Sequence, residues 1–509
     1  MVFALVYAFF LVLNLSNPPL VWDEAVHLNN VFLLKSGYSS FVNGSFYPPL
    51  FEVVTAFFFN FFGVSLFNCR LVTVIFSVLT LWVVFELANN MYGRKAALLS
   101  AVLLGVMPGY FWLSREALLD GMLLFFFMLA FLFFYLWLQN GRDRMLVFSG
   151  VALGLGFLTK YEVLAALVVM VLTLLVLGRG HLKRLFTKFT LLIVTAVIVV
   201  IPWIVIVYKV YASKILSQWI YALQVGNPAR SLYSGRFPLP IFYFVEMTWP
   251  YNGIHPISLL LYAVGLAGLG FLVWRLLKAD KFVLLWFASV YVFFTLISNK
   301  EWRYVLPLFP ALAISASVLI LFVYTKAQSA WQGHAPIKKR RAAKVAAALF
   351  IVFLAVAVAY SINDTYSGVA VDNFQIDIQA ATNYVIAHDN GSQAIMVLCP
   401  FNYFSQDMVN FYLWEGGRPQ IPTYSYPELP VDTYTPTFNI TQFISLCGQD
   451  NVKYVFTYEN GGTVPYFNTT LNLMQIYTQL YASGNFTKMS AQETFGSDPR
   501  RIFILNFTG

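Results

Sequence analysis

Charged residues are scarce in this sequence. Asp, Glu, Lys and Arg make up 11% of the 509 residues, whereas hydrophobic residues make up 59%. A soluble domain carries about a quarter charged residues, so this chain cannot cover itself with polar surface in water. The mean hydropathy is +0.69, and apolar runs long enough for a spanning helix of roughly 20 residues recur up to Tyr360. This composition excludes a soluble protein and predicts a membrane protein.

Cysteine and histidine are also rare. The five histidines are scattered, so we expect no obligatory metal, although two acids and a phosphate would be able to hold a divalent ion. Cys399 and Cys447 either pair in an oxidising exterior or stay as two buried thiols, because spacing alone does not decide. Cys69 is expected to serve packing at a membrane boundary.

The net charge of +9 does not indicate a nucleic-acid partner, because the basic residues are not gathered on one soluble face. They form short clusters between apolar runs, as cytoplasmic loops do. The clusters are Arg94-Lys95, Arg142 to Arg144, Arg179 to Lys188, Arg275 to Lys281, and Lys338 to Arg341 with Lys344.

These clusters predict about eleven transmembrane helices, with the N-terminus inside and the C-terminal segment outside. The first apolar run lacks a basic start and an A-x-A site, so we interpret it as a retained helix rather than a cleaved signal peptide. The predicted spans are Met1–Ser16, Asn68–Asn90, Ala96–Leu113, Met122–Leu138, Met145–Leu158, Val163–Leu177, Phe189–Tyr208, Pro256–Trp274, Phe282–Ser298, Tyr304–Tyr324 and Val345–Tyr360.

Seven Asn-X-Ser/Thr sequons agree with this topology, because they fall in segments that the charge clusters place outside, whereas Asn14 lies at a membrane edge and is not expected to be modified. Several sequons on one side favour a glycosylated exterior. With the predicted spans, we expect a multi-pass protein of the plasma membrane or its equivalent. The seven candidate glycosylation sites are Asn43, Asn363, Asn390, Asn439, Asn468, Asn485 and Asn506.

The composition becomes polar and rich in turns after Ile362. Gln375–His388 and Tyr403–Trp414 are predicted as helices, and Ala394–Cys399, Val452–Tyr458 and Arg501–Asn506 as strands. We therefore predict two domains: a transmembrane domain at 1–362 and an extracytoplasmic soluble α/β domain at 363–509.

Ionisable residues beside apolar spans are costly unless they are paired or functional. On the predicted topology such residues collect at the outer face. They are Asp23-Glu24 with His27, Arg115-Glu116 with Asp120, Lys160 to Glu162, Lys300 to Tyr304, and Arg70.

The acids of the first group suit general-base chemistry on a hydroxyl group. Asp23, His27 and Asn30 would share one face of a helix. The structural alternative is a helix start that favours acids because they complement its dipole. The cations arriving from other outer loops favour the functional interpretation.

Five cations at outer helix ends indicate an anion, and phosphate is the anion most naturally found in this layer. They are Arg70, Arg115, Lys160, Lys300 and Arg303. Snorkelling towards the headgroups would account for one such residue. Glu162 and Glu301 as internal partners of these cations are the main structural alternative.

Five segments in order resemble the GT-C fold glycosyltransferases that use polyprenyl-phosphate sugars, in particular the protein O-mannosyltransferases and the lipid A aminoarabinose transferases. The resemblance extends from Trp22 to Ala313, and the region after it matches no motif. The segments are WDEAVHLNN, YPPLFEVVTAFFFNFFG, SREALLDGMLLFFFMLA, GLGFLTKYE and KEWRYVLPLFPALAI.

The resemblance implies an inverting transfer of a sugar, for example mannose, to a hydroxyl of a protein, glycan or lipid acceptor. Asp23 would be the catalytic base and Glu24 its positioning partner. Arg70, Arg115, Lys160 and Arg303 would hold the phosphate of a polyprenyl- or dolichyl-phosphate donor, with Lys300 beside them and His27, Asp120 and Tyr304 in support.

The alternative function is a transporter or flippase for a lipid-linked anion. Such a protein would have ionisable groups near helix centres and related halves. Here the ionisable groups lie at outer helix ends, and we find no internal repeat. The enzyme interpretation is therefore favoured.

Overall fold

The structure is a computed structural model. It describes residues 2–37, 40–42, 47–178, 180–211, 237–250, 255–297, 300–331, 337–371, 377–388, 393–401, 404–427, 438–458, 472–488, 494–495 and 501–509.

The chain divides into two compact units. The first comprises Met1–Leu15, Gly37–Val54 and Arg70–Ala370, and the second comprises Ser16–Ser36, Thr55–Cys69 and Val371–Gly509. Two N-terminal segments thus pack with the C-terminal region, which the sequence did not indicate. The predicted domains 1–362 and 363–509 stay a prediction.

Helices dominate the chain up to residue 371, as the long apolar runs require. They are α1 (Val2–Val12), α2 (Trp22–Ser36), α3 (Leu50–Phe62), α4 (Leu66–Tyr92), α5 (Arg94–Gly105), α6 (Pro108–Leu113), α7 (Leu119–Asn140), α8 (Arg144–Thr159), α9 (Leu164–Leu177), α10 (Leu182–Tyr211), α11 (Phe242–Glu246), α12 (Leu259–Arg275), α13 (Lys278–Leu296), α14 (Leu308–Trp331) and α15 (Ile337–Val371).

Within the described residues, six helices contain a stretch long and apolar enough to cross a bilayer: Leu66–Tyr92, Leu119–Asn140, Leu182–Lys209, Lys278–Leu296, Leu308–Ser329 and Lys344–Tyr366. Five more apolar helices are shorter. The predicted polytopic helical membrane protein is therefore confirmed, while the count of about eleven spans stays a prediction.

The predicted third span is not one helix. Ala96–Leu113 is divided between α5 and α6, and Pro108 occupies the first position of α6. Proline lacks the backbone N–H that a continuous helix would need there, but it suits the first turn of a new helix.

Glycines allow α8 and α10 to approach closely. A Cβ atom on Gly150 would lie 2.5 Å from the Leu192 carbonyl oxygen, and one on Gly154 would lie 2.7 Å from Val199 Cβ. Residues four apart share a helix face. Small residues on such a face let the backbones of two apolar helices approach closely. Such packing stabilises helix pairs in lipid, where the hydrophobic effect does not drive helices together.

The second unit contains a mixed sheet with helices around it. Its strands are β1 (Ala394–Leu398), β2 (Thr423–Tyr426), β3 (Val452–Tyr458), β4 (Phe486–Lys488), β5 (Thr494–Phe495) and β6 (Ile502–Phe507). The order is β2-β1-β3-β6-β4, with β5 also paired to β6. β1 runs parallel to β2 and β3, and β6 runs antiparallel to β3, β4 and β5.

Four helices accompany this sheet: α16 (Ile378–His388), α17 (Gln406–Glu415), α18 (Ile440–Gln449) and α19 (Leu473–Ala482). All five residues of β1 are buried, as its apolar run predicts. The predicted C-terminal α/β region is therefore confirmed.

Candidate active site

The Asp-Glu pair lies on the first turn of α2, in the second unit. Asp23 is half-buried and Glu24 is fully buried. Glu24 Oε2 accepts a hydrogen bond from the Val21 backbone N–H at 3.2 Å. Glu24 thereby satisfies a donor that a helix start leaves without an intrahelical partner. Glu24 therefore caps the start of α2, which agrees with the structural alternative of a helix start that favours acids.

His27 and Asn30 follow Asp23 at one-turn and two-turn spacing on the same side of α2. They are only 5% and 4% exposed. The predicted face of Asp23, His27 and Asn30 is therefore present on a helix, with its two later members buried.

Sequence reasoning missed Asp407, on the first turn of α17 and also in the second unit. Its carboxylate accepts hydrogen bonds from Trp22 Nε1 and Asn29 Nδ2, each at 2.8 Å. Burial raises the pKa of the Asp407 carboxyl group, and these two hydrogen bonds oppose the rise. The sequence signal of Asp407 is that of an acid at a helix start, and nothing in it indicates a partner 385 residues away.

Lys160 is the centre of a buried ion-pair cluster in the first unit. Its Nζ lies 3.1 Å from Asp120 Oδ1, 3.2 Å from Glu162 Oε1 and 4.9 Å from the centre of the Tyr304 ring. Burial alone would favour the neutral amine, but the Asp120 and Glu162 carboxylates outweigh it and raise the pKa of Lys160. The charged form of Lys160, which is 6% exposed, is thereby favoured.

Arg303 joins this cluster through Tyr304. Its guanidinium carbon lies 5.8 Å from the centre of the Tyr304 ring, and its Nε donates a hydrogen bond to Glu301 Oε2 at 2.7 Å. The Arg303 side chain is 18% exposed and the Glu301 side chain 38%. The structure thus brings Asp120, Lys160, Arg303 and Tyr304 together, and it gives both cations the internal acidic partners that the sequence left open.

Arg70 and Arg115 bind backbone carbonyl groups where α1 ends. Arg115 donates to Leu13 O at 2.8 Å and to Asn14 O at 3.0 Å, and Arg70 donates to Leu15 O at 2.9 Å. Burial and the nearby Arg70 lower the pKa of Arg115 to about 10. The two arginines thereby donate hydrogen bonds to carbonyl groups that have no intrahelical partner at a helix end. Their role towards a phosphate stays a prediction.

Lys300 has a similar position at the end of α13. Its Nζ donates to Thr295 O at 2.7 Å and to Phe294 O at 3.3 Å. Lys300 is 2% exposed, and burial lowers the pKa of its ammonium group. Its phosphate role likewise stays a prediction.

The candidate glycosylation sites have different surroundings. Asn439 is exposed and accepts a hydrogen bond from Gln442 N at the start of α18, and Asn485 is half-buried after α19. Asn506 is half-buried on β6, and Asn363 is exposed on α15 within an apolar stretch of that helix. Asn43, Asn390 and Asn468 lie outside the described residues.

Cys399 and Cys447 are free thiols in this structure, and both are buried. Burial raises the pKa of the Cys399 thiol well above its usual range and that of Cys447 to about 12. Of the two alternatives, the structure has two buried thiols rather than a disulfide. Cys69 is also buried. In the part of the chain that the structure describes, no three His, Cys, Asp or Glu residues are grouped to hold a metal ion.

Comparison with known sequences finds relatives that match part of the chain. Residues 47–206 match the family described as dolichyl-phosphate-mannose-protein mannosyltransferase. The undecaprenyl phosphate-alpha-4-amino-4-deoxy-L-arabinose arabinosyl transferase of Pectobacterium atrosepticum is 26% identical over 302 residues, which cover 57% of this chain and 50% of that relative. The transferase of that description from Aeromonas hydrophila is 25% identical over 264 residues, which cover 50% and 46%. The chain spans about half the length of the curated relatives it matches.

Solved structures extend the likeness over the whole chain. ArnT from Cupriavidus metallidurans bound to undecaprenyl phosphate aligns with a TM-score of 0.62 and 17% identity, covering 100% of this chain and 98% of that one. The archaeal oligosaccharyltransferase AglB from Archaeoglobus fulgidus, in complex with an inhibitory peptide and a dolichol-phosphate, aligns with a TM-score of 0.57 and 12% identity, covering 90% and 69%. Likeness at these identities concerns the fold. The chain therefore has the GT-C fold of the glycosyltransferases that use polyprenyl-phosphate sugars, and the resemblance drawn from its motifs is confirmed.

Proposed function

We propose that this chain is a membrane glycosyltransferase, which moves a sugar from a polyprenyl- or dolichyl-phosphate carrier to a hydroxyl group of an acceptor. The observation that carries the proposal is the buried cluster around Lys160. Lys160 and Asp120 lie within the residues that match the mannosyltransferase family, at the ends of apolar helices. A charged lysine in such a place is costly unless it is paired or functional; Asp120 and Glu162 pair with Lys160, and a carrier phosphate is a further anion of that layer.

Lys160 and Arg303 are the cations that we assign to the phosphate. Arg303 is more exposed than Lys160, and a guanidinium group has five N–H donors, enough to bind Glu301 and a phosphate oxygen together. Lys160 adds a positive charge that Asp120 and Glu162 hold in place. Arg70, Arg115 and Lys300 support the helix ends.

Asp23 is the general base of the proposed reaction. The acceptor oxygen attacks the anomeric carbon while its proton passes to Asp23. The new C–O bond forms as the bond from the anomeric carbon to the phosphate oxygen breaks, and the configuration inverts. The electron pair leaves with the polyprenyl phosphate, whose added negative charge Lys160 and Arg303 stabilise.

The sugar and the acceptor are the finer part of the proposal. The family match favours mannose, and the curated relatives favour 4-amino-4-deoxy-L-arabinose. A hydroxyl of a protein, a glycan or a lipid suits the chemistry of Asp23 equally. We further propose that transfer takes place on the outer side of the membrane. The basic clusters lie at the other ends of the predicted spans, and such clusters favour the cytoplasmic side.

A donor panel tests the proposed function. Purified chain in lipid nanodiscs would receive polyprenyl-phosphate mannose or polyprenyl-phosphate aminoarabinose with serine peptide, glycan or lipid acceptors. We expect one of the two donors to release polyprenyl phosphate in the same amount as acceptor is glycosylated. Failure to bind polyprenyl phosphate and to release it from either donor would contradict the proposal.

A further inference from the structure

One carboxylate ties α2 to α17 at two points. Asp407 Oδ2 accepts the Trp22 indole N–H at 2.8 Å, and Asp407 Oδ1 accepts the Asn29 amide at 2.8 Å. The Asn29 amide also donates to the Asp407 backbone carbonyl at 3.1 Å. Trp22 and Asn29 are seven residues apart, which is about two helical turns. Asp407 therefore fixes both the tilt and the rotation of the first half of α2.

Trp414 fixes the second half of α2 against the same helix. Its ring centre lies 5.4 Å from that of Phe32 and 5.4 Å from that of Phe59. Lys35 Nζ lies 5.9 Å from the Trp414 ring centre, within the range of a cation–π contact. The anchors at Asp407 and Trp414 thus lie at the two ends of α17.

The anchored face of α2 is not the face that carries the proposed base. Successive residues are rotated by about 100° around a helix, so the side chains of Trp22 and Asp23 leave the helix axis about 100° apart. Asn29 lies close to the direction of Trp22, since seven residues make almost two full turns. α17 thereby holds one side of α2, and the proposed base Asp23 lies on the neighbouring side together with the buried His27 and Asn30.

We propose that Asp407 is a positioning residue for Asp23, and that the C-terminal region serves as the platform that sets the rotation of α2. This inference rests on the proposed function, in which Asp23 is the general base. Asp407 acts through the Trp22 contact, one residue before Asp23. Hydrogen bonds to a carboxylate are stronger than those between neutral groups, so the hold on α2 is firm.

The consequence for rate follows from geometry. A misplacement of about 1 Å at a reacting group can cost on the order of 100-fold in rate. Asp407→Asn replaces one acceptor oxygen by an amide that faces a donor of α2. We expect this change to slow transfer by about 10- to 100-fold, with donor binding unchanged within twofold. Trp22→Phe keeps an aromatic ring and removes one of the two side-chain donors to Asp407, so we expect a smaller loss in the same direction.

The experiment is a mutant cycle with Asp23→Asn, read by single-turnover transfer and by the Kd for polyprenyl phosphate. If Asp407 acts through Asp23, Asp407→Asn adds little further loss once Asp23→Asn is present. The matched control is Asp450→Asn, because Asp450 follows α18 in the same unit. We expect the control to transfer at the unaltered rate.

Three results would overturn the inference. The first is transfer within twofold of the unaltered chain in both Asp407→Asn and Trp22→Phe. The second is an equal loss of transfer rate from Asp407→Asn with and without Asp23→Asn. The third is a loss of affinity for polyprenyl phosphate as large as the loss of transfer rate. The second or the third result would show that Asp407 has a merely structural role. If Asp407→Asn does not fold, Trp22→Phe in the same cycle decides. An unaltered chain without transferase activity would instead refute the proposed function.

Discussion

Lys160 is the residue at which an observed structural role and a proposed chemical role meet. Its charge is stabilised by Asp120 and Glu162 at 3.1 and 3.2 Å, so the lysine has acidic partners whether or not a ligand is bound. In the proposed function, a phosphate bound by Arg303 would lie near a lysine whose position Asp120 and Glu162 already fix. Preorganised charge of this kind costs no rearrangement when negative charge develops in a reaction.

Lys160→Met should weaken both stability and donor binding, but for separable reasons. The change leaves the Asp120 and Glu162 carboxylates without their cation, and removal of one partner of a buried pair costs about 3–5 kcal/mol. Adding Asp120→Asn should restore most of the unfolding temperature and none of the affinity for polyprenyl phosphate. Thermal unfolding and a binding titration measure the two effects.

The control for this prediction is Lys188→Met. Lys188 Nζ lies 2.7 Å from Asp143 Oδ1, and the two side chains are 32% and 47% exposed, far more than those of Lys160 and Asp120. Ion pairs at the surface contribute little, so we expect neither quantity to change. Full donor affinity in the Lys160→Met/Asp120→Asn variant would contradict the phosphate role of Lys160.

The sequence identified the charged residues of the candidate site but not all of their partners. Lys160 and Arg303 stood out because charge beside an apolar span is costly, and Glu162 and Glu301 were visible as nearby acids. Arg70 and Arg115 bind backbone carbonyl groups, which have no sequence signal. The Asp407 contact was beyond reach because it joins distant parts of the chain.

At the scale of the element, helix ends account for most of the buried cations. The end of α1 depends on Arg115, which donates to the carbonyl groups of Phe10, Leu11, Leu13 and Asn14. The end of α13 depends on Lys300 in the same way. A positive side chain also complements the negative end of the helix dipole.

Arg115→Met should therefore destabilise the chain whether or not a donor is bound. A hydrogen bond that involves a charged group contributes about 1.5–3 kcal/mol, and Arg115→Lys should retain part of this. Thermal unfolding measures the change, with Arg94→Met as the control because Arg94 is exposed at the start of α5. An Arg115→Met variant of normal stability that no longer binds polyprenyl phosphate would favour the phosphate role instead.

Elements with strong patterns were predictable and short ones were not. The strands Ala394–Leu398 and Val452–Tyr458 agree with their predicted ranges within a residue, because buried apolar runs are bounded there by turn residues. β4 and β5 are only three and two residues long, too short for any periodicity. Pro108 indicates the break before α6, because proline ends a continuous helix. The residues on both sides of it are apolar, so hydropathy alone predicts one uninterrupted span.

At the scale of the whole molecule, the division into two units departs most from the sequence-based picture. Hydropathy groups α2 with the membrane domain because it lies between apolar runs. In the structure α2 belongs to the unit that contains the α/β sheet, because Trp22, Asn29 and Phe32 contact α17. Side-chain pairing of this kind is not encoded in hydropathy.

The predicted topology has a direct test, since the three native cysteines are buried. Arg341→Cys and Ser445→Cys each place a thiol at an exposed position. An impermeant maleimide should label Ser445→Cys in sealed cells, and it should label Arg341→Cys only after the membrane is opened. Labelling of Arg341→Cys in sealed cells would reverse the proposed orientation.

Single-turnover sugar transfer by Asp23→Asn is the most direct test of the account. Asparagine keeps the size of the side chain but cannot accept the proton of the acceptor, and general-base catalysis contributes about 10²–10⁴-fold. We expect Asp23→Asn to bind polyprenyl-phosphate sugar normally and to transfer it at least about a hundredfold more slowly. Glu24→Gln should be milder, because its amide oxygen can still accept the Val21 N–H. Transfer by Asp23→Asn at close to the unaltered rate would contradict the assignment of Asp23 as the base.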